Sequence, residues 1–218
     1  LNPLFAGQRT SIFEHRSALA RANDAVNLGQ GFPDFGWPAD VLDRAAAALT
    51  GGWNQYPPMR GLPELREAVA AHYRERQDLA VDAEQVVVTS GATEALASAL
   101  MALIEPGDEV VLFQPLYDAY LPLVLRAGGV PRFVRLTPPD WRITETQLAA
   151  AFGERTRLVL FNNPHNPTAR VFHEDELRLL ADFCVRHDAL ALSDEVWEHV
   201  LFDGRRHIPL STLPGMAE

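Results

Sequence analysis

The sequence RLVLFNNPHNPT occupies residues 157–168 and joins an apolar run to a loop rich in asparagine and proline. A short apolar run bounded by turn residues is typical of a strand that is buried on both faces of a parallel sheet. Two other stretches, QVVVTSGATE at residues 85–94 and LALSDEVW at residues 190–197, have the same form. Each places small or polar residues directly after an apolar run, so the three stretches predict parallel strands with polar side chains at their carboxyl ends.

The surrounding sequence repeats the pattern of strand, turn and amphipathic helix from about residue 83. Strands are predicted at 85–89, 109–113, 131–136, 157–161 and 189–193. Helices are predicted at 93–104, 117–127, 144–152 and 173–186, with Pro122 near the start of the second helix or kinking it. This alternation predicts an α/β fold, a three-layer α/β/α sandwich on a mostly parallel sheet.

The first part of the chain differs from this pattern. Residues 1–37 show little periodicity and are predicted to form an N-terminal arm, whereas residues 38–218 are predicted to form a large domain. That domain opens with two helices, at 38–49 and 61–76, and each has a proline near its start.

Composition excludes several classes of protein. The chain has 218 residues, is 47% hydrophobic and carries a net charge of −10 without a basic stripe, which argues against a nucleic-acid partner. No apolar run approaches the ~18 residues of a membrane span, and residues 1–9 do not resemble a signal peptide. Cys184 is the single cysteine; it is predicted to be a buried helical residue, and its isolation fits a reducing cytoplasm.

Ligands of open α/β sheets bind beyond the carboxyl ends of the strands, so the residues there are the candidates for a site. Gly91, Ala92 and Thr93 would open a helix whose free N–H groups suit a phosphate, or would form a plain turn capped by Thr93 or Ser90. The asparagines after the 157–161 strand would present amides at fixed positions or form an Asx-turn. His165 is predicted to be a loop residue rather than a catalytic base.

The sequence allows two roles for each of two further side chains. Asp194 follows the 189–193 strand, where its carboxylate would meet a cationic or donor partner or would cap the next turn. Tyr117 follows the 109–113 strand, where it would stack on a flat ring or belong to the core.

Three further motifs make the functional interpretation of the sequence more specific. NLGQGFPDF at residues 27–35, NQY at 54–56 and RGLPELR at 60–66 accompany the three strand ends. In order and spacing, all these segments resemble the fold-type I pyridoxal-phosphate (PLP) aminotransferases, and in particular the kynurenine/glutamine and methionine aminotransferase branch. The resemblance extends over nearly all 218 residues. It implies an incomplete PLP-binding large domain at 38–218 and an arm that belongs to a small domain whose bulk is missing.

The resemblance also implies roles for individual residues. Those for the cofactor are phosphate binding by the backbone at Ala92 and Thr93, ring stacking by Tyr117, a hydrogen bond from Asn166 to the ring hydroxyl oxygen, and pairing of Asp194 with the ring nitrogen. Gly31 and Asn166 would contact the substrate. Tyr56 would reach the partner's phosphate in a homodimer. Trp197 stands where the family usually has tyrosine; as a donor-only side chain, it would pack beside the cofactor without replacing that tyrosine's hydrogen bond.

All 19 basic residues counted as lysine or arginine are arginines, so the sequence contains no lysine. The family's Schiff-base lysine is therefore absent, and the chain is predicted to hold no catalytic residue of its own and no metal ligand. We expect an N-terminal portion of a cytoplasmic aminotransferase that moves an amino group from an L-amino acid to a 2-oxo acid, and we expect this portion to be inactive alone. The alternatives are a cysteine-conjugate carbon–sulfur β-lyase, the effector domain of a DNA-binding regulator, and an inactive remnant that acts through dimerisation.

Overall fold

The computed structural model describes residues 6, 10–31, 33 and 35–217. It divides into two compact units, residues 1–58 and 59–218. The division lies between Pro58 and Met59, whereas the composition predicts the end of the arm at residue 37; assignment of the arm to a small domain stays a prediction. None of the helices in the described ranges has the length and apolar character needed to cross a bilayer.

The first unit contains helices α1 (Ile12–Ala22) and α2 (Ala39–Thr50). Ser11 caps α1 by accepting a hydrogen bond from the Glu14 N–H at 3.2 Å. Asn27 connects the following segment to α1, because its Nδ2 donates to Oγ of the buried Ser17 at 3.0 Å. Of the 27–35 motif, residues 32 and 34 lie outside the described residues, as do residues 1–5 and 7–9, which include most of the stretch tested for a signal peptide.

The second unit carries the repeated strand–helix pattern. Its regular elements, in chain order, are α3 (Pro63–Gln77), a 3₁₀ turn (Ala83–Gln85), α4 (Ala92–Leu103), β1 (Glu109–Gln114), α5 (Tyr120–Arg126), β2 (Val130–Arg135), α6 (Glu145–Ala151), β3 (Thr156–Asn162), α7 (Glu174–His187), β4 (Leu190–Asp194) and a second 3₁₀ turn (Leu210–Thr212).

The four strands form one sheet in the order β2-β1-β3-β4, and every neighbouring pair is parallel. Val111 and Phe113 of β1 belong to a core cluster with residues of α6 and α7, whereas Val110 and Leu112 belong to a second cluster with residues of α4 and α5. Since successive side chains of a strand point to opposite faces, helices cover the sheet on both sides. The predicted α/β fold with a parallel sheet between helical layers is confirmed.

One polar group lies deep in this core. Glu176 of α7 is 1% exposed. Its carboxylate accepts hydrogen bonds from the N–H groups of Ile143 at 2.8 Å and His173 at 3.2 Å, and it pairs with the guanidinium of Arg170. The pairing compensates for much of the cost of burying the charge.

Two predicted elements differ in the structure. The predicted strand at 85–89 is wrong: residues 83–85 form a 3₁₀ turn and residues 86–89 are irregular. Val88 donates its N–H to the carbonyl of Arg60, which is not part of a strand, and Val87 is 57% exposed. The helix predicted from residue 117 begins at Tyr120, so Pro122 lies in the first turn, where a missing N–H costs nothing.

Candidate functional site

A cavity of about 210 Å³ lies at the carboxyl edge of the sheet. Six of the eight cofactor- and substrate-binding residues predicted from the sequence line it: Ala92, Thr93, Tyr117, Asn166, Asp194 and Trp197. Four residues without a predicted role complete the lining: Leu96, Tyr120, Asn162 and Val196. The fold therefore brings together segments that are about a hundred residues apart in the sequence.

The start of α4 forms one wall of the cavity. Gly91 is the N-cap residue, with a φ of 82° that suits glycine, and no side chain caps the helix. Neither Ser90 nor Thr93 therefore acts as the cap that the sequence allowed; instead, the Ser90 N–H donates to the Glu94 carboxylate. The first-turn N–H groups at Ala92 and Thr93 have no side-chain cap within the described part of the chain, and the helix dipole adds a partial positive charge there. This end of the cavity suits an anion.

Asp194 provides the acidic group of the cavity. Its Oδ2 accepts a hydrogen bond from the Tyr120 hydroxyl at 2.7 Å, and its Oδ1 accepts one from the Val196 N–H at 3.2 Å. Burial raises the pKa of Tyr120, and its hydrogen bond to Asp194 raises it further, so the phenol stays protonated and continues to donate. Asp194 thus accepts a turn hydrogen bond, as a capping residue would, and also borders the cavity.

Asn162, the last residue of β3, is 3% exposed and lies beside Asp194 in the sheet register. Its Nδ2 donates to the Asp194 carbonyl at 2.8 Å, and its Oδ1 accepts from the Asn166 N–H at 2.7 Å. One buried amide therefore fixes the end of β4 and the position of Asn166 together.

His165 belongs to the same loop but serves its internal packing. The ring is 3% exposed, and Nδ1 lies 2.8 Å from Oγ1 of Thr168. Burial lowers the pKa of His165 to about 4, so the imidazole is neutral at pH 7. His165 is not among the residues that line the cavity.

Aromatic side chains provide a further part of the lining. The rings of Tyr117 and Tyr120 meet edge to face, with centroids 5.6 Å apart. Trp197 is 38% exposed and borders the opening at the turn after β4. A flat ligand in this cavity would therefore have an aromatic side chain next to it.

Sequence reasoning missed Tyr120 and did not separate Asn162 from the rest of its loop. Tyr120 stands three residues after Tyr117, and Asn162 is the first polar residue after the apolar run of β3. Both residues contact Asp194, which is 74 positions from Tyr120 and 32 from Asn162, so only the fold shows these contacts.

Gly31 and Tyr56 belong to the first unit, and their predicted roles stay predictions. Gly31 is exposed, and Tyr56 is fully exposed.

Cys184 is 1% exposed within α7, and burial raises the pKa of its thiol to about 12, so it is an inert core residue as predicted.

The structure is similar to several solved structures. The chain superposes on the methionine aminotransferase YbdL of Escherichia coli with a TM-score of 0.94 and 40% sequence identity, over 99% of this chain and 57% of that one. Related proteins with lower identity, including aspartate aminotransferase from Thermus thermophilus, share the same fold.

Curated sequences agree with the structures. The probable N-succinyldiaminopimelate aminotransferase DapC of Mycobacterium tuberculosis is 45% identical over 212 residues, which are 96% of this chain and 53% of that protein. Kynurenine–oxoglutarate transaminase 1 of Mus musculus is 40% identical, over 92% of this chain and 50% of the relative. The chain therefore spans about half the length of the curated relatives it matches. The family model for aminotransferase class I and II matches residues 23–217, and this chain belongs to that family.

Proposed function

We propose that this chain holds pyridoxal 5′-phosphate for the transfer of an amino group from an L-amino acid to a 2-oxo acid. The observation that carries the proposal is the 210 Å³ cavity at the sheet edge, which combines an uncapped helix N-terminus, a fixed carboxylate and aromatic walls. Membership of the aminotransferase family supports the same conclusion.

The residues present fit this cofactor. The N–H groups at Ala92 and Thr93 would hold the phosphate, since they are donors at the positive end of a helix. Tyr117 would lie against the ring, and Asn166, whose backbone is held by Asn162, would hydrogen-bond the ring hydroxyl oxygen. Trp197 would pack at the side of the ring.

Asp194 would hold a proton on the ring nitrogen. Its carboxylate is kept in place by Tyr120 and by the Val196 N–H, so little reorganisation is needed when the ring is present. When bound, PLP supplies an electron sink for charge that develops on the substrate's α-carbon, and a protonated ring nitrogen strengthens that sink. The chain's contribution is therefore electrostatic and geometric.

The absence of lysine affects two steps, covalent attachment of the cofactor and proton transfer at the substrate. No lysine side chain is available for covalent attachment of the cofactor, so the 218 residues would retain PLP through hydrogen bonds, stacking and the helix terminus alone. The group that moves the proton at the substrate's α-carbon is also a lysine in this family, and we therefore propose that the chain alone does not turn over substrate.

A homodimer is part of the same proposal. Tyr56 would reach the phosphate bound by a second copy, and Gly31 would border the substrate carboxylate. The full exposure of Tyr56 is compatible with this role. Sedimentation of the chain with PLP should show a dimer, and Tyr56→Phe should weaken PLP binding without changing the fold.

The decisive experiment is a PLP titration of the 218-residue chain, followed by tryptophan fluorescence and checked by equilibrium dialysis. Asp194→Ala should weaken binding by about 10- to 150-fold, the equivalent of one charge-assisted hydrogen bond. Pyridoxal, which lacks the phosphate, should bind much more weakly than PLP to the wild-type chain.

Asp182→Ala is the matched control, because Asp182 is an exposed aspartate on α7. It should bind PLP as the wild-type chain does. Equal affinity of the Asp194→Ala and wild-type chains would contradict the proposed site. Formation of 2-oxo acid from methionine, kynurenine or N-succinyldiaminopimelate by the PLP-loaded chain would contradict the proposed lack of turnover.

A further inference from the structure

A second group of polar side chains lies between α3 and the turn that follows β4. His72 of α3 and the neighbours Glu198 and His199 each offer one ligand atom, and the three atoms lie within 4.8 Å of one another. These residues border a cavity of about 600 Å³ that shares no lining residue with the proposed PLP cavity.

Two of the three distances within the group match those between ligands of one metal ion. The Glu198 Oε1 atom lies 3.2 Å from His72 Nε2 and 3.4 Å from His199 Nε2. In a tetrahedral zinc site, metal–nitrogen and metal–oxygen bonds of about 2.0–2.2 Å place neighbouring ligand atoms about 3.3–3.5 Å apart. The site therefore needs no large movement to close around zinc, since His199 is 70% exposed and its ring lies edge to face against that of His72, with centroids 5.3 Å apart.

Glu198 is suited to a cation for a second reason. Its side chain is 19% exposed, and its Oε2 atom is buried without a hydrogen-bond partner in the described residues. Arg76, Arg205 and Arg206 border the same cavity. Even so, the described structure shows no ion pair between Glu198 and any arginine; its two ion pairs are with the histidines.

A neighbouring triplet is less suited to a metal. Glu195, Glu198 and His207 also have ligand atoms within 4.8 Å of one another. The Glu195 carboxylate, however, already accepts from Ser193 Oγ at 2.8 Å and lies 2.9 Å from His207 Nε2. This network braces the end of β4 and leaves the first triplet as the candidate for metal binding.

We propose that His72, Glu198 and His199 bind one Zn²⁺ ion, with a water molecule in the fourth position. Two imidazoles and a carboxylate are a ligand set that zinc favours and that magnesium does not. The ion would link α3 to the turn after β4 and so stabilise the segment that follows Asp194. The sequence contains no recognisable metal motif, because His72 and Glu198 are 126 positions apart.

The test uses the 218-residue chain after treatment with a chelator and dialysis. Calorimetric titration with Zn²⁺ should give one equivalent bound, and Mg²⁺ should give no such binding. Titration with Co²⁺ should produce the visible absorption of a tetrahedral complex. The melting temperature should rise with zinc, since the ion binds the folded state.

Three variants remove one ligand each: His72→Gln, Glu198→Gln and His199→Gln. Each should weaken Zn²⁺ binding by more than about 100-fold, because loss of an outer-shell partner alone costs about 10- to 100-fold. His15→Gln is the control, since His15 is an exposed histidine of α1, and it should bind like the wild-type chain.

Circular dichroism should show that His199→Gln keeps its fold, because the side chain it replaces is mostly exposed. Absence of stoichiometric zinc binding to the wild-type chain would overturn the proposal. Unchanged affinity in His199→Gln and His72→Gln would overturn it as well, since the zinc would then be bound elsewhere. PLP binding by Asp194 is independent of either result, because the two sites share no ligand.

Discussion

The two faces of the sheet carry different kinds of polar group. On the α7 face, where β1 and β3 pack against α6 and α7, the buried Glu176 carboxylate is held by two backbone N–H groups and Arg170. On the α4 face, where the same strands pack against α4 and α5, Leu96 and Tyr120 belong both to the core and to the cavity lining. One face holds a buried charge within the closed core, and the other borders the cavity proposed to bind PLP.

The difference shows that one sheet can support a closed core on one face and border a cavity on the other. Val110 and Val111 are neighbours in β1, yet one supports the cavity side and the other supports the closed core. Changes on the α7 face should therefore alter the free energy of unfolding and leave PLP affinity unchanged, whereas changes on the α4 face should alter both.

The largest effect is expected for Glu176→Ala. Removing the carboxylate leaves Arg170, whose side chain is 14% exposed, without its partner, and loss of one member of a buried ion pair costs about 3–5 kcal/mol. Urea unfolding measures the change, and the folded fraction should bind PLP with wild-type affinity.

Glu174→Ala, on the same helix, is the matched control for that variant. Glu174 forms an exposed pair with Arg178, so its loss should cost about 0.3–0.5 kcal/mol. Comparable costs for the two variants would show that the burial of Glu176 has no energetic role.

Leu100→Ala examines the α4 face. Leu100 is fully buried in the cluster that contains Leu96 and Tyr120, and a Leu→Ala change in a core costs about 2–5 kcal/mol. Because this cluster supports the cavity, PLP affinity of the folded protein should fall as well. Met101→Ala, one residue along the helix at a side chain that is 68% exposed, should leave stability and affinity nearly unchanged.

Tyr120→Phe removes a single hydroxyl from the boundary between core and cavity. A hydrogen bond to a charged group contributes about 1.5–3 kcal/mol, so the unfolding free energy should fall by about this amount. PLP affinity should fall by less than in Asp194→Ala, since the carboxylate itself remains. Tyr73→Phe is the control, because the Tyr73 hydroxyl forms no hydrogen bond in the described structure; if both variants are equally stable, the Tyr120–Asp194 bond has no measurable effect.

Cys184→Ala is expected to change how stability depends on pH. Burial raises the thiol pKa from 9.0 to about 12 in the folded chain, so above pH 9 the unfolded chain releases a proton that the folded chain keeps. Stability present below pH 9 is therefore lost as the pH rises toward 12, by at most about 1.4 kcal/mol per pH unit.

Unfolding measured between pH 9 and 10, below the usual pKa of tyrosine, isolates this contribution. The wild-type free energy should fall more steeply than that of Cys184→Ala, while the two slopes should agree between pH 6 and 8. Parallel slopes in both ranges would show that the thiol ionises equally in the folded and unfolded chains.

Local patterns predicted most of the sheet. The apolar runs of β1, β3 and β4 are each four residues long and are followed by polar residues, and the structure places each strand within one residue of its predicted bounds. The run at 86–88 is equally apolar, yet its Val88 N–H bonds to Arg60 instead of a strand. Apolar character shows that a segment prefers burial, but it does not supply a neighbouring strand.

The site was predictable only in part for a related reason. Position after a strand indicated Asp194 and the 162–166 loop, because strand ends in a parallel sheet lie at one edge. The Tyr120–Asp194 contact joins positions 74 residues apart, and no local spacing encodes it. The roles predicted for Tyr56 and Gly31 would depend on a second copy and on a substrate, which composition and periodicity do not describe.

The Asn162 amide has a consequence for how this sequence can evolve. Its nitrogen donates to the Asp194 carbonyl while its oxygen accepts from the Asn166 N–H, so the residue needs a donor and an acceptor at once. An aspartate would set a carboxylate oxygen against a carbonyl. A leucine would remove the acceptor of the Asn166 N–H and would leave the Asp194 carbonyl with the Asn163 N–H as its donor. Position 162 is therefore constrained by two backbone groups, and a change there would have to be accompanied by rearrangement of the backbone at Asn166 and Asp194.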